Sequence, residues 1–167
     1  VCENDKLLVI DTASYNGTVV VNNAGHIHAG DTNFAIGVLM EGIDGTNTLN
    51  NAATGWISAD GDEGYAFAVM GSYAVDTINN SGDIVGAVAL YAGDDVFNNR
   101  SGGLWDVGST RSSNFGTGND TINNLAGGLI QFDDGAITLG GGTANAFTNL
   151  GMITVSGDTN VIDMGGD

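Results

Sequence analysis

Apolar residues in this chain come in short stretches rich in β-branched types, broken every five to eight positions by Gly, Asn or Asp. That punctuation predicts short strands joined by turns. Residues 121–145 show the unit most plainly. Thr121-Ile122-Asn123 predicts a strand, Asn124-Leu125-Ala126-Gly127-Gly128 a turn, and Leu129 to Phe132 a second strand. Asp133-Asp134-Gly135 is a further turn, Ala136 to Leu139 a third strand, and Gly140 to Asn145 carries the chain into the next copy.

The unit recurs along the chain. Asn-Asn stands at Asn22-Asn23, Asn50-Asn51, Asn79-Asn80, Asn98-Asn99 and Asn123-Asn124, with Thr148-Asn149 as a sixth copy. A large apolar residue precedes each: Val21, Leu49, Ile78, Phe97, Ile122 and Phe147. A glycine follows after one or three intervening residues: Gly25, Gly55, Gly82, Gly103, Gly128 and Gly151. Two residues beyond each glycine comes another apolar side chain: Ile27, Ile57, Ile84, Trp105, Ile130 and Ile153. The second Asn recurs at steps of 28, 29, 19, 25 and 25 residues. Leucine-rich repeats share this range but need a dense leucine framework that is missing. Helical repeats run to about 33–47 residues and need long helix-forming segments.

The expected fold is therefore all-β, a parallel β-helix of about six coils of 19–29 residues with three short strands per coil, in one domain over residues 1–167. Coils stacked ~4.8 Å apart would make six of them about 29 Å tall. Residues 1 to about 17 and 31 to 46 fit the register less well. Asp31 to Met40 and Asp60 to Met70 read as looped-out insertions or irregular coil faces.

Composition sharpens this picture. The 167 residues include 28 Gly and no Pro. In a solenoid nearly every backbone N–H is claimed by the ladder, and proline cannot supply one. Gly and Asn suit corners where φ is positive. Stacked Asn side chains can also pass amide hydrogen bonds from coil to coil.

Charge narrows the function. Twenty acidic residues face three basic ones (Lys6, Arg100 and Arg111), a net charge of −17. Three cations cannot neutralise a useful number of phosphates, so no nucleic-acid partner is expected, and polyanionic substrates and anionic membranes are disfavoured. The longest apolar run, Ile84 to Ala92, is far short of the ~20 residues of a spanning helix, so no membrane insertion is expected. The single cysteine, Cys2, excludes an internal disulfide framework and a Cys-based zinc site. Such low cysteine use fits a secreted bacterial protein. The opening Val1-Cys2-Glu3-Asn4-Asp5 has neither the basic start nor the apolar stretch of a signal peptide.

Three groupings are candidates for chemistry. Asn47, Asp76, Asp95, Asp120 and Asn145 each stand three residues before the first repeat Asn or its equivalent. They read as a solvated turn column whose side chains cap local backbone groups. Gly116-Thr117-Gly118-Asn119-Asp120-Thr121-Ile122 resembles the RTX-type calcium nonapeptide, with Phe115 in place of its first glycine. That resemblance makes Asp94, Asp95 and Asp120 calcium candidates, with Asp95 and Asp120 ~5 Å apart in adjacent coils. RTX motifs, however, recur every nine residues, and here the motif comes once per coil. No cofactor is therefore expected, with Ca²⁺ as the alternative.

His26 and His28 flank the inward Ile27 and so face solvent. Asp94, Asp95, Asp120, Asp133 and Asp134 offer carboxylate pairs of the kind glycoside hydrolysis uses. Arg100 and Arg111 give little support for binding an acidic sugar, and Trp56 and Trp105 sit in or beside the inward column. No catalytic residue is expected.

At Gly118-Asn119-Asp120-Thr121-Ile122-Asn123-Asn124 and Gly128-Leu129-Ile130 the chain resembles bacterial autotransporter passengers and related β-helical surface adhesins. The likeness is one of repeat style and covers roughly residues 18 to 160. It implies a secreted or surface-displayed right-handed β-helix serving as adhesin, stalk or matrix fibre, with a glycan or protein ligand. That family's C-terminal membrane barrel is missing from these residues, and the last of them, Gly165-Gly166-Asp167, fall within a repeat-like stretch. The expectation is a segment of a longer stalk, or self-association end to end.

Overall fold

The computed structural model describes residues 6–11, 16–32, 34–61, 65–108, 112–158 and 161–165. Among them every regular element is a β-strand. β1 spans Lys6–Asp11. Six triplets follow. They are β2 (Thr18–Asn23), β3 (His26–Thr32) and β4 (Phe34–Leu39); β5 (Thr46–Asn51), β6 (Trp56–Gly61) and β7 (Ala66–Met70); and β8 (Val75–Asn80), β9 (Asp83–Val85) and β10 (Ala87–Ala89). Then come β11 (Val96–Asn99), β12 (Leu104–Asp106) and β13 (Ser113–Asn114); β14 (Thr121–Asn124), β15 (Leu129–Asp133) and β16 (Ala136–Thr138); and β17 (Ala146–Asn149), β18 (Met152–Ser156) and β19 (Val161–Asp163).

Each strand pairs in parallel with the strands three before and three after it. The strands thus sort into three sheets, one running from β1 through β4 to β19 and two others from β2 to β17 and from β3 to β18. The chain is a β-solenoid with three strands per coil, as the repeat predicts. Asn23, Asn51, Asn80, Asn99, Asn124 and Asn149 are register partners in successive coils. A strand with neighbours on both sides has no spare N–H, which accounts for the missing proline.

Both apolar columns point inward. Leu49, Ile78, Phe97 and Ile122 are fully buried, as are Ile57, Ile84, Trp105 and Ile130. The widest side chains meet in the fourth triplet, where the rings of Phe97 and Trp105 lie 4.3 Å apart and Phe115 stands 6.4 Å from Trp105.

The first sheet corrects the sequence reading. Asp31 to Met40 and Asp60 to Met70 are not looped-out insertions. They contain β4 and β7, which pair in register through Ile36 and Phe67, and β1, in the ill-fitting first segment, pairs with β4. Val38, Met40, Ala68, Val88 and Leu90 belong to the main core. Ile36, Leu39, Phe67, Met70, Ala87 and Ala89 form a second buried cluster. Strands buried on both faces lose the in–out alternation that marks a strand in sequence.

The corner glycines fall into two kinds. None of Gly25, Gly55, Gly82, Gly103, Gly128 and Gly151 has a positive φ. From Gly55 onward their cause is close approach: a Cβ on Gly103 would run into Asn99 Oδ1 and the Asn80 carbonyl, and one on Gly128 into Asn124 Oδ1 and the Asn99 carbonyl, whereas one on Gly25 would meet nothing. The left-handed conformation appears one residue earlier in the same turns, at Gly102 (82°) and Gly127 (83°), and again at another corner, where Tyr91 (φ 70°) is followed in later coils by Gly116 (89°), Gly140 (76°) and Gly165 (66°).

Candidate functional site

The sheet from β2 to β17 alternates strictly as far as β14, and its two sides carry two asparagine ladders. On the inner side Asn23 Nδ2 donates to Asn51 Oδ1 at 2.8 Å, and the chain of bonds runs on through Asn80, Asn99 and Asn124 to Asn149 at 2.8–3.0 Å. From Asn23 to Asn124 each inner amide also donates to a backbone carbonyl, as Asn99 does to Leu129 at 2.9 Å, and this second bond fixes the ladder's direction. The outer ladder runs the other way: Asn50 donates to Asn22, Asn79 to Asn50, Asn98 to Asn79 and Asn123 to Asn98, at 2.9–3.1 Å. Arg100 Nη2 donates to Asn79 Oδ1 at 2.6 Å. Together these groups line a shallow groove of about 270 Å³ that runs past Asn22, Asn50, Asn79, Ser81 and Arg100.

The acidic column lies on the inner side, just ahead of these strands. Asp76, Asp95 and Asp120 are all 0 % exposed. Asp95 Oδ1 accepts the Asp76 backbone N–H at 2.7 Å, Asp120 Oδ1 that of Asp95 at 3.0 Å, and Asn145 Oδ1 that of Asp120 at 2.8 Å. Asn47 Nδ2 donates to Asp76 Oδ1 at 2.8 Å. The second carboxyl oxygen of each Asp is buried with no hydrogen-bond partner.

Burial raises all three carboxyls above the ordinary range, Asp76 and Asp120 to about 6 and Asp95 to about 8. Their hydrogen bonds pull the other way, and the charges of Asp76, Asp120 and Asp94 push Asp95 further up. The column is thus not the solvated turn row that the sequence suggested. Parity carries the missed signal: Asp76 stands two residues before the inward Ile78, hence on the same face.

The calcium candidates are split between two environments. Asp95 and Asp120 stack inside, whereas Asp94 is exposed and its Oδ1 accepts the Asn119 backbone N–H at 2.8 Å. Among the described residues no three His, Cys, Asp or Glu side chains are grouped to hold a metal ion. Asp133 and Asp134 are exposed, with Asp133 Oδ1 accepting from Ser156 Oγ at 3.1 Å. His26 and His28 are exposed and flank Trp56, at ring distances of 5.1 and 6.5 Å. Trp56 is half-exposed and Trp105 fully buried. Cys2 and Arg111 lie outside the described residues. No described helix is long and apolar enough to cross a membrane.

Compared with known proteins, the chain matches no protein-family profile, no curated protein and no solved structure.

Proposed function

We propose that this chain is a non-enzymatic structural and adhesive β-helix module of the extracellular surface, a length of stalk extended by further coils. The supporting observation is the change of environment in the β17–β19 coil. Phe132 is 2 % exposed, and its register partner one coil on, Val155, is 60 % exposed. Leu150 and Met152 are 67 % and 57 % exposed. Asn124 is buried whereas Asn149, the last rung of the inner ladder, faces solvent. An apolar column and an amide ladder that both end in water form the seat of another coil.

Further repeats of the same chain, or a second copy, supply that coil. Seating β2 of a second copy on β17 would bring its β1 into the place of β19, so one of those strands must lift away. Further coils of the same chain meet no such conflict. The outer face carries the adhesive part of the proposal. Its half-exposed Thr48, Thr77, Thr121, Asn50, Asn98 and Asn123 are uncharged, on a chain of net charge −17, and Arg100 is engaged there with Asn79. A neutral glycan or an uncharged protein surface fits it.

Sedimentation velocity and electron microscopy test the extension. Rods that lengthen with concentration, and shorten with Val155→Asp, support stacking of copies. A chain lengthened by one more 121–145 unit should melt higher if the same chain continues the stack. A dispersed monomer whose melting does not change with the added unit sinks the proposal.

A further inference from the structure

The carboxyl column holds a feature that neither solvation nor a metal explains. Each Asp uses Oδ1 to accept a hydrogen bond, and its Oδ2 lies fully buried without a hydrogen-bond partner, although at Asp76 the Ser72 backbone N–H also favours the charged form. Asn145, which continues the same column, shows what this place offers. Its Oδ1 accepts the Asp120 N–H, and its Nδ2 donates to the carbonyl of Met164 at 2.8 Å. The second atom of this column therefore faces a carbonyl oxygen, which calls for a donor.

The register carries that partner down the stack. Met164, Leu139, Phe115 and Leu90 occupy equivalent corners, one residue past the paired Asp163, Thr138, Asn114 and Ala89. The carbonyls equivalent to that of Met164 are thus those of Leu139 for Asp120, Phe115 for Asp95 and Leu90 for Asp76. At Asp76 the two groups share one neighbourhood, because a Cβ built on Gly71 would run into Asp76 Oδ2 and come within 3.1 Å of the Leu90 carbonyl oxygen, which also accepts the Ala92 N–H at 3.0 Å. An ionised carboxylate here would set an anionic oxygen beside a carbonyl lone pair, out of water and one coil from the next carboxylate. A protonated Oδ2–H, by contrast, can donate to that carbonyl.

We infer that Asp76, Asp95 and Asp120 form a proton-binding column whose Oδ2–H groups tie each coil corner to the next, so that the solenoid tightens in mild acid and loosens as the column ionises. The charged side chains acting on Asp95 are Asp76 and Asp120 in the adjoining coils and Asp94 beside it; Asp94 also acts on Asp120. All of them are acids. Arg100, at the far end of β11, is engaged with Asn79. The high values already given for the three carboxyls agree with the geometry. A free aspartate carboxyl in water titrates near about 4, well below this column.

Asp95→Asn tests the inference because an amide Nδ2 supplies the donor permanently, as Asn145 does. The native chain should lose melting temperature between about pH 5 and about pH 9, and Asp95→Asn should lose clearly less over the same range. Equal losses in the two proteins overturn the column. Should the variant fail to fold, the native chain labelled with ¹³C at Asp Cγ still decides. Three buried carboxyls titrating near or above pH 6 support the inference. Asp signals that all titrate near about 4 overturn it.

Discussion

Asn99 Nδ2 donates at once to Asn124 Oδ1 and to the Leu129 carbonyl, both at 2.9 Å, and so joins two coils and two sheets through one buried side chain. Its neighbour Asn98 belongs to the half-exposed outer ladder, which runs in the opposite direction.

Removing the two amides should therefore have unequal effects. Asn99→Ala strips a buried acceptor on Asn124 and a part-buried carbonyl at Leu129 of their donor and the Asn80 amide of its acceptor, and it leaves a void. The expected loss is about 2–4 kcal/mol. Asn98→Ala exposes its partners to water, which replaces the bonds, and should cost about 0.5–1 kcal/mol. Urea unfolding of the two variants gives the comparison directly. Equal losses would mean that the inner ladder is no more important than the outer one.

The glycine column offers a second paired test. A Cβ at Gly128 would meet Asn124 Oδ1, Asn99 Nδ2 and the Asn99 carbonyl, all within 3 Å, whereas one at Gly25 has nothing within 4 Å. Gly128→Ala must push the inner ladder aside and should cost at least about 2 kcal/mol, as overpacking does. Gly25→Ala should be neutral or stabilising by a few tenths of a kcal/mol, since its φ needs no glycine. If the column existed for backbone freedom instead, both substitutions would cost alike.

The parts of this fold that were legible in the sequence were those with one wet face. Thr121-Ile122-Asn123 alternates because Ile122 is buried while its neighbours are half-exposed, and six such copies set both register and coil length. β4 and β7 were illegible because Phe34–Leu39 and Ala66–Met70 are apolar on both sides, and no alternation survives. The carboxyl column was found as a column but placed on the wrong side. Stretches such as Gly93-Asp94-Asp95 and Gly118-Asn119-Asp120 suggest solvated turns, and only the parity of the column with Ile78, Phe97 and Ile122 reveals that it points inward. The unpaired Oδ2 atoms depend on the corner carbonyls of a later strand, which no local pattern announces.

The two tryptophans separate core from surface. Trp105 is fully buried against Phe97, and its Nε1 donates to the Gly86 carbonyl at 3.3 Å. Trp105→Ala should cost about 3–5 kcal/mol. Trp56 is 38 % exposed beside His26 and His28, and its replacement by Ala should cost about 1 kcal/mol or less. Fluorescence-monitored unfolding follows each variant through the remaining indole. Comparable losses would contradict the burial difference.

Asp94 gives a finer test of the acidic column, because it is exposed yet its charge raises both Asp95 and Asp120. A carboxyl held above its unfolded value keeps its proton in the native state after the unfolded chain has lost it. Its stabilisation is complete below the unfolded value of 3.8 and fades as pH climbs through the native values of about 6 and about 8. Each unit of difference is worth about 1.4 kcal/mol, so the fall should be visible in the urea midpoint. Asp94→Asn removes one repelling charge without touching the buried bonds. The native values of Asp95 and Asp120 should drop, and the upper limb of the stability profile should move to lower pH while its direction stays the same. A profile that keeps its position after Asp94→Asn would show that the outer turn does not act on the column. A profile that rises with pH instead would show that the three carboxyls are ionised in the native state.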